Sequence, residues 1–363
     1  MVRVLTFLNE VSSTSIPFEI AVEIHNETPI TVDVVSFYDD QSTVSDIIEG
    51  NLRIEALDAN SRFDRRAYRR LREIALEGDY DAIHTHQNFT GSVARAVVAD
   101  TDLSIVDTEH NDHRHFSVLQ NVTNSVTFPF ADQIVSNSES TRDSFRWYER
   151  LLSLNSEVST IYNGVNLGRI QSAEERELIP DLPDGPLIVT VGVMTQQKDQ
   201  ETLLRTIIRV NQDYPEATLV IVGDGPLKRE LQTKVDDLNI DCSVLFTGFL
   251  PKREDVYAVL HASDIFTISS TYEGFCVAAV EAMACSLPLV VSDIDVLHEV
   301  VGDAGQFATP RNPSSFANQI TELLSNPPRA TRLGRRARER VEERFPLGRT
   351  AEKYATLYSE LSQ

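Results

Sequence analysis

Glu273 and Glu281 stand eight residues apart, with Gly274 and Phe275 between them opening a run of small residues. The stretch Tyr272–Val291 reads YEGFCVAAVEAMACSLPLVV, and the apolar run DIFTISS comes just before it. A tight turn feeding a helix exposes unbonded backbone N–H groups and the positive end of the helix dipole, which together suit a phosphate. If Gly274 and Phe275 open that helix, the two carboxylates lie about 12 Å apart along its axis. That is the reach from a sugar to a ribose across a diphosphate. Lys198 follows a β-branched run, Leu187–Val193, by five residues. A cation there faces the carboxyl ends of parallel strands, where a diphosphate belongs. His110 closes another such run in TEHND, with His113 and His115 just after it and His84 and His86 ending the preceding run. Five histidines in two loops raise zinc as a reading, but no cysteine or spaced carboxylate completes a ligand set, so no metal is assigned.

Elements that could position these groups are legible as alternating β-branched runs and helical patterns, the signature of parallel sheets with crossover helices. Strands are expected at 3–8, 31–37, 81–86, 104–107, 133–136 and 157–161, then at 187–193, 217–222, 244–248, 265–269, 287–291 and 305–308. Helical periodicity falls at 202–210, 227–238 and 314–324. Between the halves, Ser172–Pro186 is acidic, holds three prolines and lacks periodicity, so it reads as a linker. The expected division is an N-terminal Rossmann-like domain over 1–171, a linker over 172–186 and a second such domain over 187–346. The helix 347–363 is a candidate to return to the first domain.

Length and charge narrow the function. A chain of 363 residues exceeds the usual size of one domain and suits two. A formal charge of −22 argues against nucleic acid as a partner. Of the 33 basic residues only five are Lys, at positions 198, 228, 234, 252 and 353. Abundant acid with little Lys fits a cytoplasm of very high salt, where the screening length falls to about 3 Å and crowded carboxylates stop repelling. Cys242, Cys276 and Cys285 form neither a metal-ligand spacing nor a disulfide framework. The first residues lack the apolar run of a signal peptide, and no segment reaches the ~20 apolar residues of a membrane span. A reducing, cytoplasmic setting is the expectation. One segment is basic: residues 62–73 hold six Arg against Asp64 and Glu73. The helix 62–78 with Arg65, Arg66 and Arg69 on its surface, and Phe63, Ala67, Leu71, Ile74 and Ala75 as its apolar stripe, is a candidate for docking on anionic lipid or an acceptor. The plainer reading is a solvated helix whose stripe packs on the sheet.

At this point the chain resembles the retaining glycosyltransferase family 4. The match runs through VGVMTQQKD (191–199), LVIVGDGP (219–226), VLFTGFLP (244–251), EGFCVAAVEAMACSLPLVVSD (273–293) and HEVVGDAG (298–305), and more weakly through DAIHTHQ, VDTEHND, ADQIVSNSEST and IYNGVN in the first half. The resemblance implies an α/β fold of two facing, doubly wound Rossmann-like domains (GT-B type) with a cleft between them. It implies that Glu281 binds the ribose of a nucleotide and that Glu273 and His110 act at the donor sugar. Lys198 would clamp the diphosphate, with Gly274, Phe275, Cys276 and Val277 lining it. Where the family carries glycines this chain has Cys276 and Ser286, and where it carries an Arg beside the Lys this chain has Val193. The implied reaction is retaining transfer of a hexose from a nucleotide-diphosphate sugar to a hydroxyl, with no metal and no other cofactor. A glycan or lipid-linked acceptor and cell-surface or lipid-linked glycan assembly are expected, with peripheral contact on the inner face of the membrane. The alternatives are a nucleotide-sugar epimerase of the same architecture, a two-lobed sugar-binding protein without catalysis, and a transferase relic serving as a partner subunit. GDGP reads first as a structural strand-to-helix turn with Pro226 at the first helical position. In the first βα loop, 9–17, no role is assigned to Ser12–Ser15. Asp293 and Asp295 spell DxD, but they follow a buried-looking strand and are not read as a metal site.

Overall fold

Runs such as RVLTFL and TLVIV are apolar on both faces, so they need strand neighbours on either side and helices above and below. The computed structural model describes residues 2–12, 14–45, 52–153, 157–176 and 182–362. It divides into two compact units, one of residues 1–164 with 347–363, the other of residues 165–346.

The first unit holds β1 (Arg3–Leu8), β2 (Thr31–Ser36), β3 (Arg53–Ala56), β4 (Ala82–Thr85), β5 (Ser104–Glu109), β6 (Gln133–Ser136) and β7 (Glu157–Thr160). They form one sheet in the order β3-β2-β1-β4-β5-β6-β7, parallel throughout. The second unit holds β8 (Leu187–Val191), β9 (Thr218–Val222), β10 (Val244–Gly248), β11 (Ile265–Ile268), β12 (Leu289–Ser292) and β13 (Gly305–Ala308). Their order is β10-β9-β8-β11-β12-β13, again parallel. Both sheets reverse their strand order beside the first strand, between β1 and β4 and between β8 and β11. In such sheets ligands bind outside the strands' carboxyl ends at that reversal.

Three details depart from the sequence reading. The strand β3 was not anticipated: it is a four-residue edge strand, RIEA, whose two charged residues mask its periodicity. The units part at Gly164 and Val165, ahead of the expected linker. Helix Leu167–Ser172 belongs to the second unit, where Arg169 Nε bonds Glu254 at 2.6 Å and the Ile170 carbonyl meets His261 Nε2 at 2.9 Å. Residues 177–181 of the expected linker, and Ser13 of the first loop, lie outside the described residues. Helix Leu347–Leu361 returns to the first unit and packs against helix Ile16–Glu27. Its Tyr354 and Tyr358 are fully buried in the same core as Val4, Phe18 and Val32.

Candidate functional site

In the second unit the groups gather at the strand-order reversal. After β8 the chain turns through Gly192–Asp199 before helix Gln200–Val210 begins. Gly192 and Gly223 have φ of +154° and +129°, and a Cβ on Gly223 would stand 2.3 Å from the Gly192 carbonyl. The loops after β8 and β9 can therefore touch only where a side chain is missing. The loop after β8 is stitched to the loop after β11. Thr271 N donates to the Gln197 carbonyl at 2.8 Å, Gln197 Nε2 donates to the Tyr272 carbonyl at 2.9 Å, and Ser269 Oγ reaches the carbonyls of Lys198 and Asp199 at 2.9 and 2.8 Å.

That stitching places Lys198 Nζ 2.5 Å from Glu273 Oε1, which also accepts from Ser270 Oγ at 2.6 Å. Burial opposes the charge on Lys198, but the Glu273 carboxylate beside it outweighs burial and holds its pKa above the ordinary lysine value. Glu281 is buried and held from the other side. Its Oε1 accepts from Arg253 Nε at 2.7 Å and from the Tyr257 hydroxyl at 3.1 Å. Both glutamates are thus fixed through Oε1. Arg253 and Tyr257 were not singled out in the sequence, although their i, i+4 spacing on one helix face was a signal for a pair acting together.

The helix between the glutamates is Val277–Ala284, three residues later than expected. Gly274 and Phe275 belong to the preceding turn, where the Phe275 ring packs edge-on against Phe345 with centroids 5.4 Å apart. The 12 Å estimate therefore does not apply, because the chain between the carboxylates is half turn and half helix. Among the described residues the amides of Cys276, Val277 and Ala278 meet no acceptor, so the orphan donors sit slightly further along than expected. Cys276 caps this helix in the left-handed region, φ 69° and ψ 70°, and Ser286 past its end has φ 61°. These are the two positions where the resemblance had led to glycine. Burial pushes the Cys276 thiol up to about 12, with Glu273 adding to the effect, so it is no nucleophile at neutral pH. Val193 is 56% exposed on the loop after β8 and brings no charge to it. Helix Lys228–Leu238 begins two residues after Pro226, so the proline lies in the turn and not at the first helical position. The turn itself is structural, since Met194 N donates to the Asp224 carbonyl at 2.9 Å.

In the first unit the carboxyl ends of β4 and β5 carry histidines. His86 Nδ1 lies 3.1 Å from His110 Nε2, and Asn137 Nδ2 lies 3.5 Å from His110 Nδ1 and 3.2 Å from its carbonyl. Burial lowers His86 well below the ordinary histidine value and holds His110 down to about 4, so this pair is neutral. His84, one layer deeper, bonds Thr108 Oγ1 at 2.8 Å and the Tyr358 hydroxyl at 2.5 Å, and burial lowers it to about 3. His113 belongs to a different environment. It stacks on Phe116 and Phe145 and bridges Glu149 at 3.0 Å and Glu109 at 3.5 Å. Burial opposes its charge, yet the two carboxylates outweigh it and push His113 up to about 9. Next to it, buried Arg95 pairs with Asp107 and donates to Asn124 Oδ1 at 2.9 Å. His84 and His113 therefore belong to two separate buried networks, His86 and His110 pair at the carboxyl edge, and His115 is exposed.

The basic helix runs Arg65–Glu77, with Asp64 accepting from the amides of Arg66 and Ala67. Ala67, Leu71, Ile74 and Ala75 are buried, while Phe63 precedes the helix and is 84% exposed, so it is not part of the stripe. Arg65, Arg66 and Arg69 are exposed. Arg66 donates to the Asp58 carbonyl at 2.7 Å. Among the described residues Arg65 and Arg69 make no ion pair. No helix among the described residues is long and apolar enough to cross a membrane.

Comparison with known proteins meets this geometry from outside. Residues 172–340 match the family described as glycosyl transferases group 1, and residues 26–169 match glycosyltransferase family 4. An uncharacterized glycosyltransferase of Methanocaldococcus jannaschii is 29% identical over 210 residues, 55% of this chain and 53% of that relative, so the match spans about half of the relative's length. A glycogen synthase of Mycobacterium tuberculosis is 27% identical over 307 residues, covering 81% of this chain and 72% of that protein. Among solved structures, sucrose-phosphate synthase from Thermosynechococcus elongatus superposes with a TM-score of 0.83 at 20% identity over 99% of both chains. Anabaena HepE in complex with UDP-glucose does so with a TM-score of 0.79 at 18% identity, covering 98% of this chain and 99% of that one. The structural likenesses fix the GT-B fold class, two parallel-sheet α/β domains. With both halves matched in order, this chain belongs to the family 4 (group 1) glycosyltransferases.

Proposed function

We propose that the protein is a retaining hexosyltransferase that takes its sugar from a nucleotide diphosphate and needs no metal. The observation that carries this reading is the Lys198–Glu273 pair at the β8/β11 reversal, beside a helix start whose first amides meet no acceptor. A diphosphate seated there would take hydrogen bonds from the Cys276, Val277 and Ala278 amides and charge from Lys198. Glu281, fixed by Arg253, would receive the ribose hydroxyls. In the reaction the bond from the anomeric carbon to the diphosphate breaks and a bond to the acceptor oxygen forms on the same face. The acceptor proton passes to the departing phosphate oxygen, so no protein nucleophile is required. The chain's share is positioning, together with stabilising the charge that grows on the diphosphate. His110, held neutral, would act as a hydrogen-bond partner of the sugar and not as a charged acid.

HepE was solved with UDP-glucose, which supports a nucleotide sugar as donor. A thermal-shift panel of UDP, GDP and ADP sugars at molar KCl tests the reading and names the base. One sugar nucleotide should raise the melting temperature by several degrees; no shift with any of them would remove the donor site. Labelled donor incubated without acceptor should remain unchanged, whereas conversion to an epimer would favour the isomerase reading. The acidic surface supports a protein adapted to high salt. Its melting temperature should fall as KCl is lowered from molar to tens of millimolar, because self-repulsion returns.

A further inference from the structure

Helix Val118–Thr127 of the first unit carries Leu119, Val122 and Val126 on one face, yet these are 64, 54 and 66% exposed. Opposite them, helix Asn88–Val98 presents Phe89, Val93 and Val97. Between the two stripes lies an open groove of about 1000 Å³. That volume is at the upper end for sites that hold small molecules, roughly 300–1,000 Å³. One end of the groove reaches the carboxyl ends of β1, β4 and β5, where Asn9, His86 and His110 line it. This is the strand-order reversal of the first sheet, so an apolar trough opens onto a polar, neutral pole at the place where such sheets bind ligands. The groove lining holds one cation. Arg62 lines the groove and sits over the Phe89 ring, 5.6 Å from its centroid. Arg65 and Arg69 follow on the adjoining helix at i+3 and i+7, without ion pairs among the described residues. On a chain of net charge −22, an arginine placed over an exposed apolar trough suits a ligand that is both apolar and anionic.

We propose that this groove binds the acceptor, and that the acceptor is an amphiphile: a single long apolar chain lies between the two helices, an anionic link meets Arg62, and the hydroxyl to be glycosylated reaches His86 and His110. The proposal rests on the transferase reading and adds the acceptor's chemical class to it. A protein surface would bring many contacts to a broad face. The feature here is an apolar trough between two helices with one polar end and one arginine, which matches a chain with a head.

The test uses the full chain and 1-oleoyl lysophosphatidate below its micelle concentration, with binding measured by calorimetry. Saturable one-to-one binding is expected. Oleoylglycerol, which lacks the anion, should bind at least fivefold more weakly, and glycerol 3-phosphate, which lacks the tail, should not saturate. Val122→Glu changes an exposed side chain, so the fold is retained; it should weaken lysophosphatidate at least tenfold while leaving the sugar-nucleotide thermal shift intact. Arg62→Glu should cost about fivefold. The proposal is overturned if Val122→Glu leaves the affinity within twofold. It also falls if the wild-type chain sediments as a dimer that Val122→Glu dissociates, because a second copy would then cover the groove. Binding only to anionic vesicles, unchanged by Val122→Glu but lost in Arg65→Glu/Arg66→Glu/Arg69→Glu, would show surface adsorption and likewise end it. Loss of the sugar-nucleotide shift in the wild-type chain, with lysophosphatidate still bound, would remove the transferase reading and the acceptor role together, leaving a lipid site alone.

Discussion

The two units share a strand order and use its reversal in opposite ways. In the second, the edge is charged and closed: Lys198 rests on Glu273, Arg253 on Glu281, and the loops that carry them are bonded to each other. In the first, the edge is neutral and open, with His86 and His110 facing a trough, and the charges lie one layer deeper in the Glu109–His113–Glu149 bridge. A paired, desolvated edge suits a ligand of fixed geometry and high charge, because its groups are already oriented and lose little on binding. A neutral, roomy edge suits a ligand that varies in shape and binds by area. One architecture thus gives its two units different carboxyl edges by where it puts its charges.

The deep bridge offers the largest test of this contrast. His113→Asn leaves Glu109 and Glu149 buried without their cation and should cost about 3–5 kcal/mol at neutral pH by denaturant titration. Because the proton on His113 is held more tightly in the folded chain, its contribution is complete below pH 6.5 and fades as pH rises through about 9. The alkaline slope of stability should therefore flatten in the variant. On the acid side, His84 and His110 are held low, at about 3 and 4, so stability present above pH 6.5 is lost as pH falls toward those values, in both proteins. If the variant kept the alkaline slope, the charge would reside elsewhere and the contrast between layers would fail.

A somewhat smaller effect is expected at the paired edge. Lys198→Met keeps the length of the side chain and removes its charge; kcat should fall by about 10²–10³, the range for losing one preorganised group that stabilises developing charge. A drop below threefold would mean that the pair is structural and the amides suffice. The smallest effect concerns the backbone just past the far end of helix Val277–Ala284. Ser286 holds a left-handed conformation that costs a side-chain-bearing residue about 1–2 kcal/mol, against roughly 0.5–1 for the extra freedom of glycine when unfolded. Ser286→Gly should raise stability by up to about 1 kcal/mol with activity unchanged. A destabilised variant would show that the hydroxyl matters more than the strain.

Much of this arrangement was legible in the residues. Six β-branched runs in each half become strands, and the bounds of β1, β6, β10 and β13 coincide with the runs read from sequence. Buried parallel strands announce themselves because nearly every residue in them is apolar. The short edge strand β3 did not, since two of its four residues are charged. Lys198 and Glu273 could be singled out one at a time, but their contact spans 75 positions and depends on how two loops are stitched. The pairing of His113 with Glu149 is likewise a product of tertiary packing. The stripe of Leu119, Val122 and Val126 has the periodicity of a buried face; that it stands open is a property of the fold alone.

The return of helix Leu347–Leu361 sets a timetable for making the protein. Tyr354 and Tyr358 close the base of the first sheet and hold His84 there, yet they are translated after the whole second unit. The core of the first unit therefore closes only once residues on both sides of the second unit have been made. A released polypeptide truncated after residue 346 would keep every element of the second unit and lack the helix that covers Val4, Phe18 and Val32 in the first.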